Sequence, residues 1–309
     1  MTNRPELGYS SPAAGRTLDA LAAKGVNAVS IMPFAFQRSA TSNELSWRHT
    51  HPSAETDQEV RAGIRAARQR GLYVLLKPQV WVPRSWPGAI EPADPVAWWA
   101  AYREYVLHHA ALAREEGADA LCVGTELTRL QARAEWRPLI AEVRRAFPGL
   151  VVYAANWDAT DVSFAADLDA LGVDLYQPLA ESAQASDGEL RAGARRVVDG
   201  LDRLAARVGR PVLLTEVGFA ARRACWSAPH LEGGEVDTSA QRRSTGALLA
   251  AMERSQRVAG LFWWKVFSDG RAAREDEPSF RLTGRPAEAE LFAFFARMRR
   301  LAPPAMLPR

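Results

Sequence analysis

The feature that most constrains the fold is a regular alternation of short apolar runs with longer segments of helical period. The apolar runs include NAVSIMPF at 27–34, LYVLLKPQVWV at 72–82 and DALCVGTEL at 119–127. The segments between them repeat apolar residues three and four apart, and most of them end on glycine, as helices commonly do. Strands that alternate with helices predict a parallel sheet with right-handed crossover connections.

The number of these units predicts the architecture. Further strands are predicted at 150–157, 173–179, 211–219 and 261–267, with an abbreviated first candidate, ELGYS, at 6–10. Eight strand–helix units in one chain of 309 residues predict an α/β fold, a (β/α)8 TIM barrel with a short or irregular first strand. The chain shows no linker, so residues 1–309 are predicted to form one domain. An open doubly wound sheet is the alternative, but no G-x-G-x-x-G follows the first strand.

Composition limits the partners of the protein. The net charge is only +3 and the basic residues are scattered, which argues against nucleic acid as a partner. No apolar run approaches the roughly 18 residues of a membrane span. The start of the sequence lacks the pattern of a signal peptide, so a cytoplasmic monomer is expected, or a secreted one if the start is truncated. The abundance of alanine and arginine indicates a GC-rich, bacterial genome.

Polar and aromatic residues collect where the predicted strands end. In a parallel barrel the carboxyl ends of the strands form the active face. The residues predicted at that face are Lys77, Gln79, Trp81, Thr125, Glu126, Asn156, Trp157, Tyr176, Glu216 and Trp264. Trp264 is preferred over Lys265 because neighbouring strand residues point to opposite faces.

Two glutamates stand out because each follows an apolar strand. Alternation along the strand predicts that Glu126 shares a face with Cys122 and Gly124, and Glu216 with Leu214, towards the barrel axis. Burying a carboxylate beside apolar residues is costly. A single glutamate in such a place is commonly a structural ion-pair partner, but two of them among aromatic residues favour a catalytic role.

Paired carboxylates across a cleft are what the hydrolysis of glycosidic bonds requires. One carboxyl protonates the leaving oxygen, and in retaining enzymes the other attacks the anomeric carbon from a carboxyl–carboxyl distance of about 5 Å. Different surroundings separate their pKa values and so assign the two roles. Aromatic side chains provide surfaces on which flat sugar faces stack.

A metal-dependent hydrolase is one alternative to a glycosidase. His49 and His51 form an H-x-H pair of the kind used by metal-dependent barrel hydrolases, but no later strand offers a histidine, since His108 and His109 are predicted in a helix and His230 in a loop. Neither a metal nor an organic cofactor is therefore expected. A barrel that binds carbohydrate without cleaving it is a further alternative, although binding alone has no need of two carboxylates.

Two smaller questions stay open at this level. Lys77 either lines the cleft or pairs with a neighbouring acid. The long loop that carries Trp226 and His230 either covers the cleft or extends into solvent. The adjacent Trp98 and Trp99 are predicted to pack in the core of a helical layer.

Several motifs together resemble a known family. VGTEL at 123–127 and LLTEVGF at 213–219 resemble the acid/base and nucleophile motifs of clan A, the large clan of retaining (β/α)8 glycosidases. The whole ordered set resembles glycoside hydrolase family 113, which is known for endo-β-1,4-mannanase activity, over residues from about Gly8 to Arg297. The further motifs are GVNAVSIMPF, GLYVLLKPQVWV, SWPGAI, GVDLYQPL and RLTGRPAEAEL.

The resemblance implies roles for individual residues. Glu126 would be the general acid/base, Glu216 the nucleophile and Tyr176 a hydrogen-bond donor to it. Trp264 would form the platform beneath the sugar, and in the clan the peptide bond after this tryptophan is often cis. The remaining candidates for substrate contact are Lys77, Gln79, Trp81, Trp86, Thr125, Asn156 and Trp157.

One departure concerns specificity. Thr125 stands where the clan usually has an asparagine, a residue that contacts the sugar 2-hydroxyl. Taken together, the paired glutamates, the aromatic residues and the family resemblance predict a retaining glycoside hydrolase that acts on β-1,4-linked mannan or related hemicellulose oligosaccharides. A glycosidase of the same clan with a different sugar specificity is the alternative.

Overall fold

The described structure contains seven α-helices and nine strands. It is a computed structural model that describes residues 5–49, 55–271, 274 and 276–301. The helices are α1 (Pro12–Ala23), α2 (Asp57–Arg68), α3 (Pro95–Glu116), α4 (Trp136–Ala146), α5 (Asp187–Val208), α6 (Thr238–Met252) and α7 (Pro286–Leu301). The strands are β1 (Ala28–Ile31), β2 (Phe34–Phe36), β3 (Tyr73–Leu76), β4 (Gln79–Trp81), β5 (Ala120–Thr125), β6 (Leu150–Asn156), β7 (Ala170–Leu175), β8 (Val212–Val217) and β9 (Val258–Trp263).

The chain forms two compact units. The first comprises the described parts of Met1–Asp19 and Asn27–Val173, and the second comprises Ala20–Val26 and the described parts of Asp174–Arg309. Strand β7 begins in the first unit and ends in the second.

Parallel strands form the sheet of the first unit in the order β1-β3-β5-β6-β7. Ala28 of β1 pairs with Tyr73 of β3, and Ala120 of β5 pairs with Leu150 of β6. Strands β5 and β7 are buried along their whole length, as expected where helices cover a parallel sheet. Strands β2 and β4 form a separate parallel pair.

An aromatic cluster fills the helical layer of this unit. The Trp98 and Tyr102 rings of α3 stack with centroids 4.7 Å apart, and the Trp136 ring of α4 stacks on Phe164 at 4.8 Å. Trp98 and Trp99 are buried, which confirms their predicted place in the core.

The second unit continues the strand order from β7 to β8 and β9, again with parallel pairing of β8 to β9. Helix α5 begins at a capping box in which the Ser186 hydroxyl accepts from the Glu189 backbone N–H while the Glu189 carboxylate accepts from the Ser186 N–H. It ends at Gly209, whose φ of 67° is left-handed. A glycine at this position is a common helix stop, because it adopts the left-handed conformation without a steric cost.

The fold class of a (β/α)8 barrel with a short first strand is confirmed, but individual strands differ from the prediction. The first strand of the sheet, β1, has only four residues. The candidate at 6–10 is wrong, because Pro5–Leu7 form a 3-10 helix and a turn follows. Tyr9 lies in that turn, where its ring packs on Gly63 of α2 and its hydroxyl accepts from the Met32 N–H.

Two predicted strands are each divided by a proline. Residues 27–34 form β1 and the start of β2, interrupted at Pro33, and residues 72–82 form β3 and β4, interrupted at Pro78. Proline has no N–H to donate to a strand ladder. The last strand, predicted at 261–267, lies at Val258–Trp263 and ends before Trp264.

Candidate active site

Glu126 follows the last residue of β5 and has an unusual backbone conformation. Its φ is 53°, in the left-handed region that residues other than glycine, asparagine and aspartate rarely adopt. Its N–H donates to the Ala154 carbonyl of β6 at 2.7 Å, and its carbonyl accepts from the Thr128 N–H at 2.7 Å. These bonds hold a half-buried glutamate in a conformation that is disfavoured locally, as is common at functional sites.

The predicted alternation of side chains along β5 is wrong. Between Cys122 and Thr125 the strand contains one residue more than the matching part of β6, which is a β-bulge. Cys122 Sγ therefore lies 3.8 Å from Thr125 Oγ1, although alternation would place them on opposite faces. At Gly124 a Cβ would lie 2.7 Å from the Trp136 ring of α4, so this position faces the helical layer and not the predicted barrel axis.

Two tryptophans of the first unit are exposed. The Trp81 side chain at the end of β4 is 46% exposed and contacts the Phe34 ring edge to face. Trp86 is 41% exposed, and its ring occupies the space where a side chain at Gly88 would be. Exposed aromatic surfaces of this kind suit the stacking of sugar rings.

Other candidates of this unit are engaged within the protein. The Asn156 amide donates to Asp158 at 2.8 Å and accepts from the Trp157 N–H at 3.1 Å, so it stabilises the turn that follows β6. The Gln79 amide is 3.4 Å from the Met32 sulfur. Lys77 is completely buried, which favours the interpretation of a lysine paired within the protein over direct contact with a saccharide.

Glu216 lies in β8 and is buried among hydrogen-bonding groups of the second unit. Only 8% of the residue is exposed, and the Tyr176 hydroxyl donates to Glu216 Oε2 at 2.9 Å. This is the contact predicted for these two residues. Between Leu214 and Val217, β8 contains one residue more than β9 opposite, so this glutamate also lies in a β-bulge.

Trp264 comes directly after β9, and its peptide bond to Lys265 is cis, as in the clan. Because both residues lie beyond the strand, strand alternation does not apply to them, and the preference for Trp264 stays a prediction. Lys265 Nζ lies 5.1 Å from the centre of the Trp264 ring and 3.7 Å from Glu232 Oε1. Glu232 belongs to the loop after β8, so that loop is linked to the tryptophan.

A buried arginine anchors the segment that follows Trp264. Arg281 makes two hydrogen bonds to the Asp269 carboxylate, at 2.8 and 3.1 Å, and its guanidinium lies 4.0 Å from the centre of the Phe267 ring. Burial of Asp269 opposes its ionisation, but the bonds from Arg281 and the Arg271 backbone hold the pKa of Asp269 below its ordinary value.

Sequence reasoning missed one buried polar pair next to Glu216. Thr215 Oγ1 donates to Asp174 Oδ1 at 2.6 Å, and both residues are almost completely buried. The signal was present, since an aspartate interrupts the otherwise apolar run ALGVDL of β7.

The residues that the structure describes contain no group of three or more histidine, cysteine or acidic side chains arranged to hold a metal ion. His49 instead contacts the Phe34 carbonyl at 3.0 Å, and His51 of the H-x-H pair lies outside the described residues. None of the helices within those residues combines the length and apolarity needed to span a membrane.

Glu126 and Glu216 lie in different units, and the distance of about 5 Å between them stays a prediction. Each glutamate lies at or directly after a β-bulge; backbone hydrogen bonds hold the main chain of Glu126, and the Tyr176 hydroxyl holds the carboxyl group of Glu216.

Comparison with solved structures identifies proteins of the same fold. The β-mannanase AaManA from Alicyclobacillus acidocaldarius, in complex with ManMIm, is 25% identical over 94% of this chain and 93% of its own, with a TM-score of 0.83. A GH113 β-1,4-mannanase complex is 22% identical over 93% of this chain and 94% of its own, with a TM-score of 0.81. A GH5_18 protein from Streptomyces cattleya, in complex with Manβ1-4GlcNAc, is 20% identical over 96% of this chain and 76% of its own, with a TM-score of 0.63.

Sequence comparison assigns the family. No curated protein sequence matches the chain significantly. The model of Glycoside Hydrolase Family 113 matches residues 2–284, which is nearly the whole chain. The protein is therefore a glycoside hydrolase and belongs to family 113.

Proposed function

We propose that the protein hydrolyses β-1,4-linked mannan, or related hemicellulose oligosaccharides, with retention of the anomeric configuration. Membership of Glycoside Hydrolase Family 113 supports the reaction class. The similarity to the β-mannanase AaManA, at 25% identity and a TM-score of 0.83, supports mannan as the substrate.

The single observation that carries the mechanism is the contact between Tyr176 and Glu216. A buried carboxylate that accepts a hydrogen bond from a phenol is held in one orientation, as a nucleophile must be. In the first step Glu216 attacks the anomeric carbon, and the bond from that carbon to the leaving oxygen breaks. The result is a covalent glycosyl-enzyme.

Glu126 is proposed as the general acid/base. In the first step its carboxyl proton passes to the leaving oxygen. In the second its carboxylate removes a proton from the water that attacks the anomeric carbon, and the bond from that carbon to Glu216 breaks. The β-bulge and the left-handed backbone at Glu126 support this role, since they direct a half-buried side chain at the end of a strand.

Aromatic residues are proposed to hold the sugar. Trp264 provides the platform, with Trp81, Trp86 and Trp157 as further stacking surfaces. The contacts proposed for Gln79, Thr125, Asn156 and Lys77 are secondary, because the described side chains of Thr125 and Lys77 are buried and the Asn156 amide is engaged in its turn.

We also propose that residues 1–309 act as one catalytic domain and as a monomer that binds neither nucleic acid nor a membrane. The scattered basic residues and small net charge of +3 support this proposal.

Replacement of each glutamate tests the two roles. Glu216→Ala should abolish turnover of mannan, and with an activated aryl β-mannoside plus azide it should yield the α-glycosyl azide, because azide then attacks directly. Glu126→Ala should form the glycosyl-enzyme from the same substrate and yield the β-glycosyl azide. Proton NMR of the first product of the wild type should show the β-anomer. An α-anomer, or wild-type turnover by Glu216→Ala, would refute the mechanism.

A further inference from the structure

The bond between Thr215 and Asp174 lies immediately beside the glutamate proposed as nucleophile. The donor–acceptor distance is 2.6 Å, and the two residues are 1% and 0% exposed. A hydrogen bond this short between groups shielded from water is electrostatically stronger than the same bond in solvent. This contact therefore restricts the orientation of the Thr215 side chain.

The geometry of the two strands explains what the bond does. Asp174 lies in the last two residues of β7 and Tyr176 directly follows the strand, and the side chains of both reach neighbouring residues of β8. Their partners, Thr215 and Glu216, are adjacent in β8, and adjacent residues of a regular strand point to opposite faces. Both contacts form because β8 is bulged between Leu214 and Val217. Thr215 and Glu216, the two residues of β8 that make these hydrogen bonds, are the residues at the centre of the bulge.

An apolar pair of the same volume would fill this place without the cost of burying a carboxylate and a hydroxyl. The polar pair differs from an apolar pair because its hydrogen bond requires one orientation of the Thr215 side chain. If β8 returned to regular alternation, Glu216 would turn away from Tyr176, and the bond from Thr215 to Asp174 opposes that change.

We propose that Asp174, acting through Thr215, is a positioning residue that keeps the β8 bulge in the conformation in which Glu216 meets Tyr176. The inference rests on the proposed function, in which Glu216 is the nucleophile.

The test uses Thr215→Val, which keeps the shape of the side chain and removes the hydroxyl. Thr215→Ser restores the hydroxyl and should restore activity. Thr245→Val in α6 is the matched control, because Thr245 is equally buried and its hydroxyl has no partner among the described residues. Turnover of an activated aryl β-mannoside is measured per active site, with sites counted from the stoichiometry with which a mannose-like competitive inhibitor binds in calorimetry.

We expect Thr215→Val to lower kcat by about 10- to 100-fold, since small misplacements of a reacting group cost this much. KM should change by less than about threefold, because the lost interaction orients the nucleophile and does not bind substrate. Thr215→Ser should recover most of kcat, and Thr245→Val should equal the wild type. In combination with Tyr176→Phe the losses should be less than multiplicative, as both substitutions release the same carboxylate.

A merely structural bond would lower the thermal midpoint and the fraction of active molecules while kcat per active site stayed at the wild-type value. That result, or a Thr215→Ser variant as slow as Thr215→Val, would overturn the inference. Failure of the proposed function is distinguishable from both, because Glu216→Ala would then retain turnover or the wild type would not cleave the mannoside.

Discussion

Replacing Tyr176 by phenylalanine tests the interaction on which the proposed mechanism depends. The substitution removes the hydroxyl that donates to Glu216 Oε2 at 2.9 Å. It keeps the ring, whose edge contact with Phe280 has a centroid distance of 6.1 Å, so no cavity forms. The variant therefore isolates one hydrogen bond to one carboxylate.

The magnitude follows from two opposing effects. A hydrogen bond to a charged group contributes about 1.5–3 kcal/mol, and its full loss in the transition state would slow the reaction by about 10- to 150-fold. The carboxylate loses charge as it attacks, so part of the bond stabilises only the ground state and its removal favours attack. The loss of orientation acts in the other direction and is the larger effect. We expect a net decrease in kcat/KM of about 10- to 100-fold.

The assay compares wild type and Tyr176→Phe on a β-1,4-mannooligosaccharide and on an activated aryl β-mannoside. Tyr153→Phe is the control, since it removes another buried tyrosine hydroxyl, one that donates to Gln131 at 3.2 Å. The control should lose some stability but keep its turnover. If Tyr176→Phe stays within about twofold of wild type, the orienting role of this bond is refuted.

Two further predictions concern stability. Gly124→Ala should lower the free energy of unfolding by about 1–3 kcal/mol in urea titrations, because the added Cβ would lie 2.7 Å from the packed Trp136 ring. The control is Gly200→Ala in α5, where the nearest atom is 3.8 Å away and the substitution should be neutral or stabilising. Equal stability of the two variants would contradict the packing argument. Burial lowers the pKa of His109 to about 4 in the folded protein, from an ordinary value near 6.5. The unfolded chain therefore binds a proton first as pH falls, so stability present above pH 6.5 should decrease by up to about 3 kcal/mol by pH 4, and His109→Gln should remove this part of the decrease. Parallel pH profiles of the two proteins would contradict it.

The order and type of the elements could be predicted from the chain alone because they depend on local patterns. Apolar runs of strand length alternate with helical periods, and glycines such as Gly117 and Gly209 end helices since they adopt left-handed φ values without a steric cost. Residues 27–34 and 72–82 were each predicted as one strand, although Pro33 and Pro78 indicate an interruption locally, because the missing N–H is a property of the residue itself. The segment at 6–10 was too short for its pattern to distinguish a strand from a turn.

The positions of Glu126, Glu216 and Trp264 at strand ends were likewise visible in the chain, and so was the tyrosine that contacts Glu216. The directions of their side chains were not. Strict alternation would place Gly124 beside Glu126, whereas the β5 bulge turns Gly124 towards Trp136. Strand β9 ends at Trp263, four residues earlier than predicted, and this removed the alternation argument for Trp264 and Lys265.

By itself, then, the sequence determined the alternation of strands and helices, their order along the chain, and which acids and aromatic rings lie near the strand ends, because each of these depends on neighbours along the chain. Only the tertiary structure decided how those side chains point and what holds them. A bulge arises from a mismatch in register between two strands, and the bond from Thr215 to Asp174 joins residues 41 positions apart. Such features depend on which residues are brought opposite each other, and no local pattern contains that information.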